Sequence, residues 1–122
     1  VALNRALRLR KNSDFQRVRQ QGRSVTSRLL ILAWTPNDEA RVRVGFVISK
    51  RISKHAVTRN YIKRLLGEAI RPVLADLPVG LDIVFSARGQ ILGADLSMLR
   101  QDMSTLLRRA RLLATPSATG SG

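Results

Sequence analysis

The stretch from Ala56 to Arg71 constrains the fold more than any other part of the chain. Ile62, Leu65, Leu66, Ala69 and Ile70 recur at spacings of three and four, so they line one face of an α-helix, while Arg59, Asn60, Lys63 and Arg64 fall on its polar side. A helix of this kind has to lay its aliphatic stripe on other elements, and apolar strand-like runs stand on either side of it. Pro72 lacks the N–H that the carbonyl of Glu68 would receive, so the helix is expected to end or bend near residue 71. Gly67 weakens its middle by about 1 kcal/mol relative to alanine.

Upstream, residues 28–35 read as a strand, and Pro36-Asn37-Asp38-Glu39 as a turn into a second strand at 41–49. The two are expected to pair as a hairpin. A first helix carries Phe15 and Val18, with Asn12 or Ser13 as its cap and Gly22 as its stop. Downstream, Pro78-Val79-Gly80 turns the chain into a third strand, Leu81–Ala87, and a last helix spans 93–112 with Leu96, Leu99, Met103, Leu106 and Leu107 inward. The order helix, strand, strand, helix, strand, helix gives an α/β (α+β) single domain, a small mixed sheet with helices mainly on one face. The domain is expected to occupy residues 1–114, its first 11 tied down only in the assembly. The Ser-, Thr-, Gly- and Pro-containing tail 115–122 is expected to be disordered.

The charge points to the partner. Among 122 residues, 22 Lys plus Arg stand against 8 Asp plus Glu, a net charge of +14, and 44 % hydrophobic content is enough to fill one core. The cations concentrate in 1–28 and 41–71, with a further group at Arg100, Arg108, Arg109 and Arg111. A polyanion is the expected partner. Without cysteine there is no disulfide scaffold or thiolate zinc site, and His55 is the only histidine, so a protein-only hydrolytic site built on a histidine pair is impossible. Apolar runs such as Leu29–Trp34 are too short to cross a bilayer, which predicts no membrane partner and a cytoplasmic location. Asp14, Glu68, Asp76, Asp82 and Asp95 are too dispersed to establish a magnesium site and read as caps or surface counter-charges.

Three ordered blocks carry a resemblance. They are Leu9-Arg10-Lys11-Asn12-Ser13-Asp14-Phe15-Gln16-Arg17-Val18, then Arg43-Val44-Gly45-Phe46-Val47-Ile48-Ser49-Lys50-Arg51, and Ala56-Val57-Thr58-Arg59-Asn60-Tyr61-Ile62-Lys63-Arg64-Leu65 with Glu68. From about Leu7 to Leu113 the chain resembles the protein subunit of bacterial ribonuclease P. That resemblance implies a sandwich like the second domain of ribosomal protein S5, with a left-handed βαβ crossover. It also implies a surface of Arg59, Asn60, Lys63 and Arg64 against the catalytic RNA, and a cleft of Phe15, Val47, Ser49, Lys50 and Arg51 for the single-stranded 5′ leader of precursor tRNA. Chemistry would belong to the RNA subunit, with magnesium mainly there, and no obligate protein partner is expected. The sequence departs from the family pattern at Tyr61, where an arginine is characteristic, at Arg19, where an aromatic residue is frequent, and at Gly67, where arginine is common.

Several residues keep two readings. Phe15 either stacks on a leader base or anchors the first helix to the sheet. Tyr61 either contacts RNA or packs against Leu65, and Trp34 reads as packing at a strand end rather than an RNA platform. Lys50, Arg51 and Lys54 read as a phosphate-binding segment before the long helix, where backbone N–H groups also favour anions. The resemblance implies endonucleolytic removal of the 5′ leader from precursor tRNA; the rival reading is an rRNA-binding ribosomal or assembly protein.

Overall fold

The structure, a computed structural model, describes residues 8–113. Its elements are α1 (Asn12–Gln21), β1 (Arg23–Thr26), β2 (Leu30–Pro36), β3 (Arg43–Val47), α2 (Ala56–Leu74), β4 (Leu81–Ala87), a 3-10 turn at Gly89–Ile91 and α3 (Leu96–Arg109). One mixed sheet has the order β1-β2-β4-β3, antiparallel at its first two contacts and parallel between β4 and β3. The expected disordered tail and residues 1–7 lie outside the described residues.

The hairpin expected between 28–35 and 41–49 does not form. β4 is inserted between those strands, and the chain does reverse after Pro36, but the turn packs on the segment before β4, with the Asn37 N–H donating to the Gly80 carbonyl at 2.8 Å. The hairpin is instead β1–β2, where Val25 sits opposite Leu32. β1 escaped the sequence reading because Arg-Ser-Val-Thr has a single apolar residue and pairs along one edge only.

Alternation splits the sheet's side chains between two faces. Leu30, Leu32, Val44, Ile83 and Phe85 join Ile62, Leu66 and Ile70 of α2 and Leu99, Met103, Leu106 and Leu107 of α3 in the main core. Phe46 stacks on Phe85 with ring centroids 6.2 Å apart. Trp34 packs half-buried against this core, in agreement with its structural reading. On the other face, Ala33 and Val84 meet Leu9 and Val18, with Phe15 and Val47 alongside. Two helices therefore cover one face and α1 covers part of the other.

Helix ends differ from expectation in informative ways. α1 begins at Asn12 itself, with Lys11 in the capping position and no side-chain cap. Gly22 does stop α1, but in an extended conformation: a Cβ there would meet the carbonyl oxygens of Trp34 and Val18 at 2.4 Å. α2 runs past Pro72 to Leu74, because Val73 and Leu74 pack on the core and hold the last turn in place. α3 is shorter than expected and is capped by Asp95, whose carboxylate accepts from the Met98 N–H at 2.8 Å. Residues 8–9 were expected to be tied down only in an assembly; instead they run parallel to the free edge of β3, with the Leu9 N–H donating to the Val44 carbonyl at 2.9 Å. Among the described residues no helix is long and apolar enough to cross a membrane.

Candidate RNA-binding cleft

β3 is an edge strand, so the space beside it is bounded by α1 from one face of the sheet and α2 from the other. The result is a cleft of about 830 Å³. Its floor is the backbone and small or apolar side chains of β3, from Val44 to Val47, with Ile48 beyond. Phe15 and Arg19 come from α1, Arg8 and Arg10 from the segment along β3, and Asn60, Lys63 and Arg64 from α2. The lining contains five cationic side chains and no carboxylate or imidazole.

Phe15 is half-buried and stands over Gly45. A Cβ added to that glycine would lie 2.5 Å from Phe15 Cε1 and Cζ, so the bare backbone is what lets the ring sit so low. Its two readings thus meet in one position: one side of the ring packs on the sheet while the residue remains part of the cleft lining. Val47 lines the same cleft. Ser49, Lys50, Arg51 and Lys54 do not; they lie beyond the end of β3 and are exposed, the Ser49 carbonyl accepting from the Ile52 N–H at 3.0 Å. Of the residues assigned by resemblance to the catalytic RNA and to the leader, Asn60, Lys63 and Arg64 of the first set and Phe15 and Val47 of the second line one cleft.

Arg59 stands apart from its neighbours. It is half-buried, and its Nη1 donates to the Ser53 carbonyl at 2.9 Å, which braces the basic loop against α2. Tyr61 is 58 % exposed and lies outside the cleft lining, so its ring is not consumed by the core. His55 caps α2 only by position, with no side-chain hydrogen bond to the helix.

Sequence reasoning missed four contributors to this site. Arg8, Arg10 and Arg19 carried no periodic signal that would place them beside β3. Asp82 was read as a cap or surface counter-charge, yet its side chain is fully buried beneath α1. Arg43 clamps it with Nε and Nη2, both at 2.8 Å, Asn37 Nδ2 donates to it at 2.8 Å, and Arg17 of α1 completes the shell. Burial alone would push the Asp82 carboxyl up, but the hydrogen bonds from Arg43 and Asn37 and the charges of Arg43 and Arg17 outweigh it and hold it below the usual carboxylate range. Reciprocally, the bond to Asp82 raises Arg43. A lone acid inside Leu-Asp-Ile-Val-Phe was the available signal, because a carboxylate in so apolar a strand needs partners. Glu68 pairs with Arg71 at 2.8 Å. Among the described residues no three acidic or histidine side chains gather as a metal site.

Comparison with known proteins agrees with this architecture. A family model described as Ribonuclease P matches residues 3–111. The ribonuclease P protein component of Chloroflexus aurantiacus is 42 % identical over 116 residues, covering 94 % of this chain and 85 % of that protein. That of Caldanaerobacter subterraneus is 38 % identical, covering 86 % and 90 %. Among solved structures, the Staphylococcus aureus RNase P protein superposes with a TM-score of 0.80 at 28 % identity, covering 89 % of this chain and 99 % of that one. The Thermotoga maritima RNase P protein gives 0.74 at 27 %, covering 84 % and 96 %.

Proposed function

The chain belongs to the ribonuclease P protein family, and from that premise we propose that its cleft holds the single-stranded 5′ leader of precursor tRNA while the helix α2 wall engages the catalytic RNA. The observation that carries this reading is the pairing, in one cleft, of an apolar floor and a half-exposed phenylalanine with five cations and no anion. Single strands are bound by such a combination because every base has an apolar face and every nucleotide a phosphate. Phe15 and Val47 would take leader bases and Arg8, Arg10 and Arg19 its phosphates, while Lys63 and Arg64 would grip phosphates of the catalytic RNA. Lys50, Arg51 and Lys54 extend the positive field past the end of β3, with Ser49 at the exit.

As the protein component of a tRNA-processing ribonucleoprotein, the chain contributes placement and electrostatics. Cations between two RNA molecules relieve their repulsion, and a held leader has already lost the orientational freedom that cleavage would otherwise have to remove. The cleft lining supplies no acid, base or nucleophile suited to hydrolysis, which supports a catalytic centre in the RNA. Among the described residues the carboxylates do not gather as a metal site, and the magnesium this reading expects would be held by RNA phosphates. Cytoplasmic residence follows from the same reading. The ribosomal alternative has no observation in its favour.

Phe15→Ala tests the assignment in the assembled holoenzyme. Preference for precursor over mature tRNA should fall by roughly 1–3 kcal/mol, with affinity for the catalytic RNA much less affected. A melt must first establish folding, since truncating a buried phenylalanine can cost about 3–5 kcal/mol. An unchanged preference in a folded variant returns Phe15 to a purely structural role.

A further inference from the structure

Two large side chains, Val57 and Tyr61, stand in solvent on α2. They are 81 % and 58 % exposed, and a spacing of four sets one above the other on the same face of the helix. The other large exposed hydrophobic residues among the described residues, Val79, Leu92 and Met98, each lie in a different segment, so only this pair shares a helix face. Neither is consumed by the core. Leu65, one turn beyond Tyr61, packs against it, whereas Tyr61 belongs to neither core cluster and its hydroxyl has no hydrogen bond among the described residues.

The setting of this patch restricts what can cover it. A helix turns about 100° per residue, which directs Tyr61 away from Asn60 and from the cleft that Asn60 lines. Arg64 borders both, because it lines the cleft wall and, three residues on, is the neighbour of Tyr61 on the helix surface. It is exposed and has no hydrogen bond or ion pair among the described residues. Glu68, one turn beyond Arg64, pairs with Arg71 at 2.8 Å. A protein partner would need roughly 800 Å² of complementary surface per side, which two side chains beside a cation do not supply. One ring flanked by an aliphatic side chain and a guanidinium suits a single nucleotide, with its base on the ring and its phosphate in the fork.

Resting on the reading of α2 as the wall that engages the catalytic RNA, we propose that Val57 and Tyr61 form a stacking platform for one unpaired base of that RNA, whose phosphate Arg64 holds. The base has to be unpaired, since both faces of a base within a duplex are covered by its neighbours. The leader is not the occupant, because the platform lies outside the cleft lining. Where the family pattern has an arginine, this chain trades a phosphate contact for a base contact.

Salt separates the two kinds of contact. A cation that meets a phosphate releases counterions and steepens the salt dependence, whereas a neutral ring releases none. Dissociation constants of the full chain for its matched catalytic RNA would be measured over a salt series at fixed magnesium. Tyr61→Ala should weaken binding roughly 5- to 100-fold, the range of one stacked base, with the slope of log affinity against log salt unchanged. Tyr61→Phe keeps the ring and should bind within about twofold of the wild type. Both variants keep the helix, since the ring is exposed and alanine favours α2. Unchanged affinity in Tyr61→Ala would overturn the proposal, as would a loss accompanied by a flatter slope, a Tyr61→Phe loss as large as that of alanine, or a defect confined to self-association. The double variant Lys63→Ala with Arg64→Ala, run in parallel, keeps the two readings apart. If it flattens the slope while Tyr61→Ala does nothing, the wall stands and the platform falls; if neither changes anything, the wall falls as well.

Discussion

At the scale of single residues, the cleft depends on two residues, Gly45 and Asp82, that take no part in its lining chemistry. Gly45 sets the height of Phe15, so Gly45→Ala tests the ring's position without removing the ring. The added methyl must push Phe15 outward, since it would otherwise lie 2.5 Å from two ring carbons. We expect a stability loss of about 1–3 kcal/mol and a reduced preference for precursor over mature tRNA, read by a melt and by paired binding measurements. Asp82 fixes α1 to the sheet through Arg17 and Arg43. Asp82→Asn should cost about 3–5 kcal/mol at neutral pH, because it takes the main counter-charge from the mostly buried Arg43 guanidinium and leaves it only Asp14 at 3.8 Å. The sign with pH follows from the lowered folded value. The carboxylate's contribution is complete above its ordinary value of about 3.9 and is lost as acid titrates the group through its lower folded value. Urea unfolding across that range should give a wild-type stability that falls towards acid, and a variant in which this part of the fall is missing. Identical acid slopes for the two would refute the assignment.

At the scale of elements, α2 carries a correctable weakness. Nothing lies within 4 Å of the position a Cβ would take on Gly67, so Gly67→Ala should stabilise the helix by up to about 1 kcal/mol and raise the melting temperature by several degrees. A lowered melting temperature would mean that the space beside Gly67 is filled in solution. The helices were legible in the sequence because their apolar stripes are local patterns, as Ile62, Leu66 and Ile70 illustrate. Strand partners were not. The turn chemistry at Pro36-Asn37-Asp38 correctly marked a reversal, but which strand lies beside β2 is decided by β4, more than 40 residues further along the chain. Likewise Pro72 argued for a helix end from backbone chemistry alone, and the packing of Val73 and Leu74 overrode it.

At the scale of the whole molecule, an excess of positive charge should make RNA affinity steeply dependent on salt. Lys63→Ala with Arg64→Ala removes two exposed cations of the cleft wall while leaving the Ile62 and Leu66 stripe intact. The slope of log affinity for catalytic RNA against log salt should become shallower by roughly one to two. An unchanged slope in the folded double variant would show that this wall faces solvent in the complex. The motif around Asn60 made that wall readable from sequence, whereas its counterpart from Arg8 and Arg10 could be found only once the chain was seen to double back along β3. That strip has a second effect. A bare edge strand invites pairing with the same strand of another copy, and residues 8–9 already occupy the edge of β3. The backbone that brings two cations to the cleft also keeps the sheet from growing. Loosening it would weaken RNA capture and promote self-association together, which ties solubility to the integrity of the binding site.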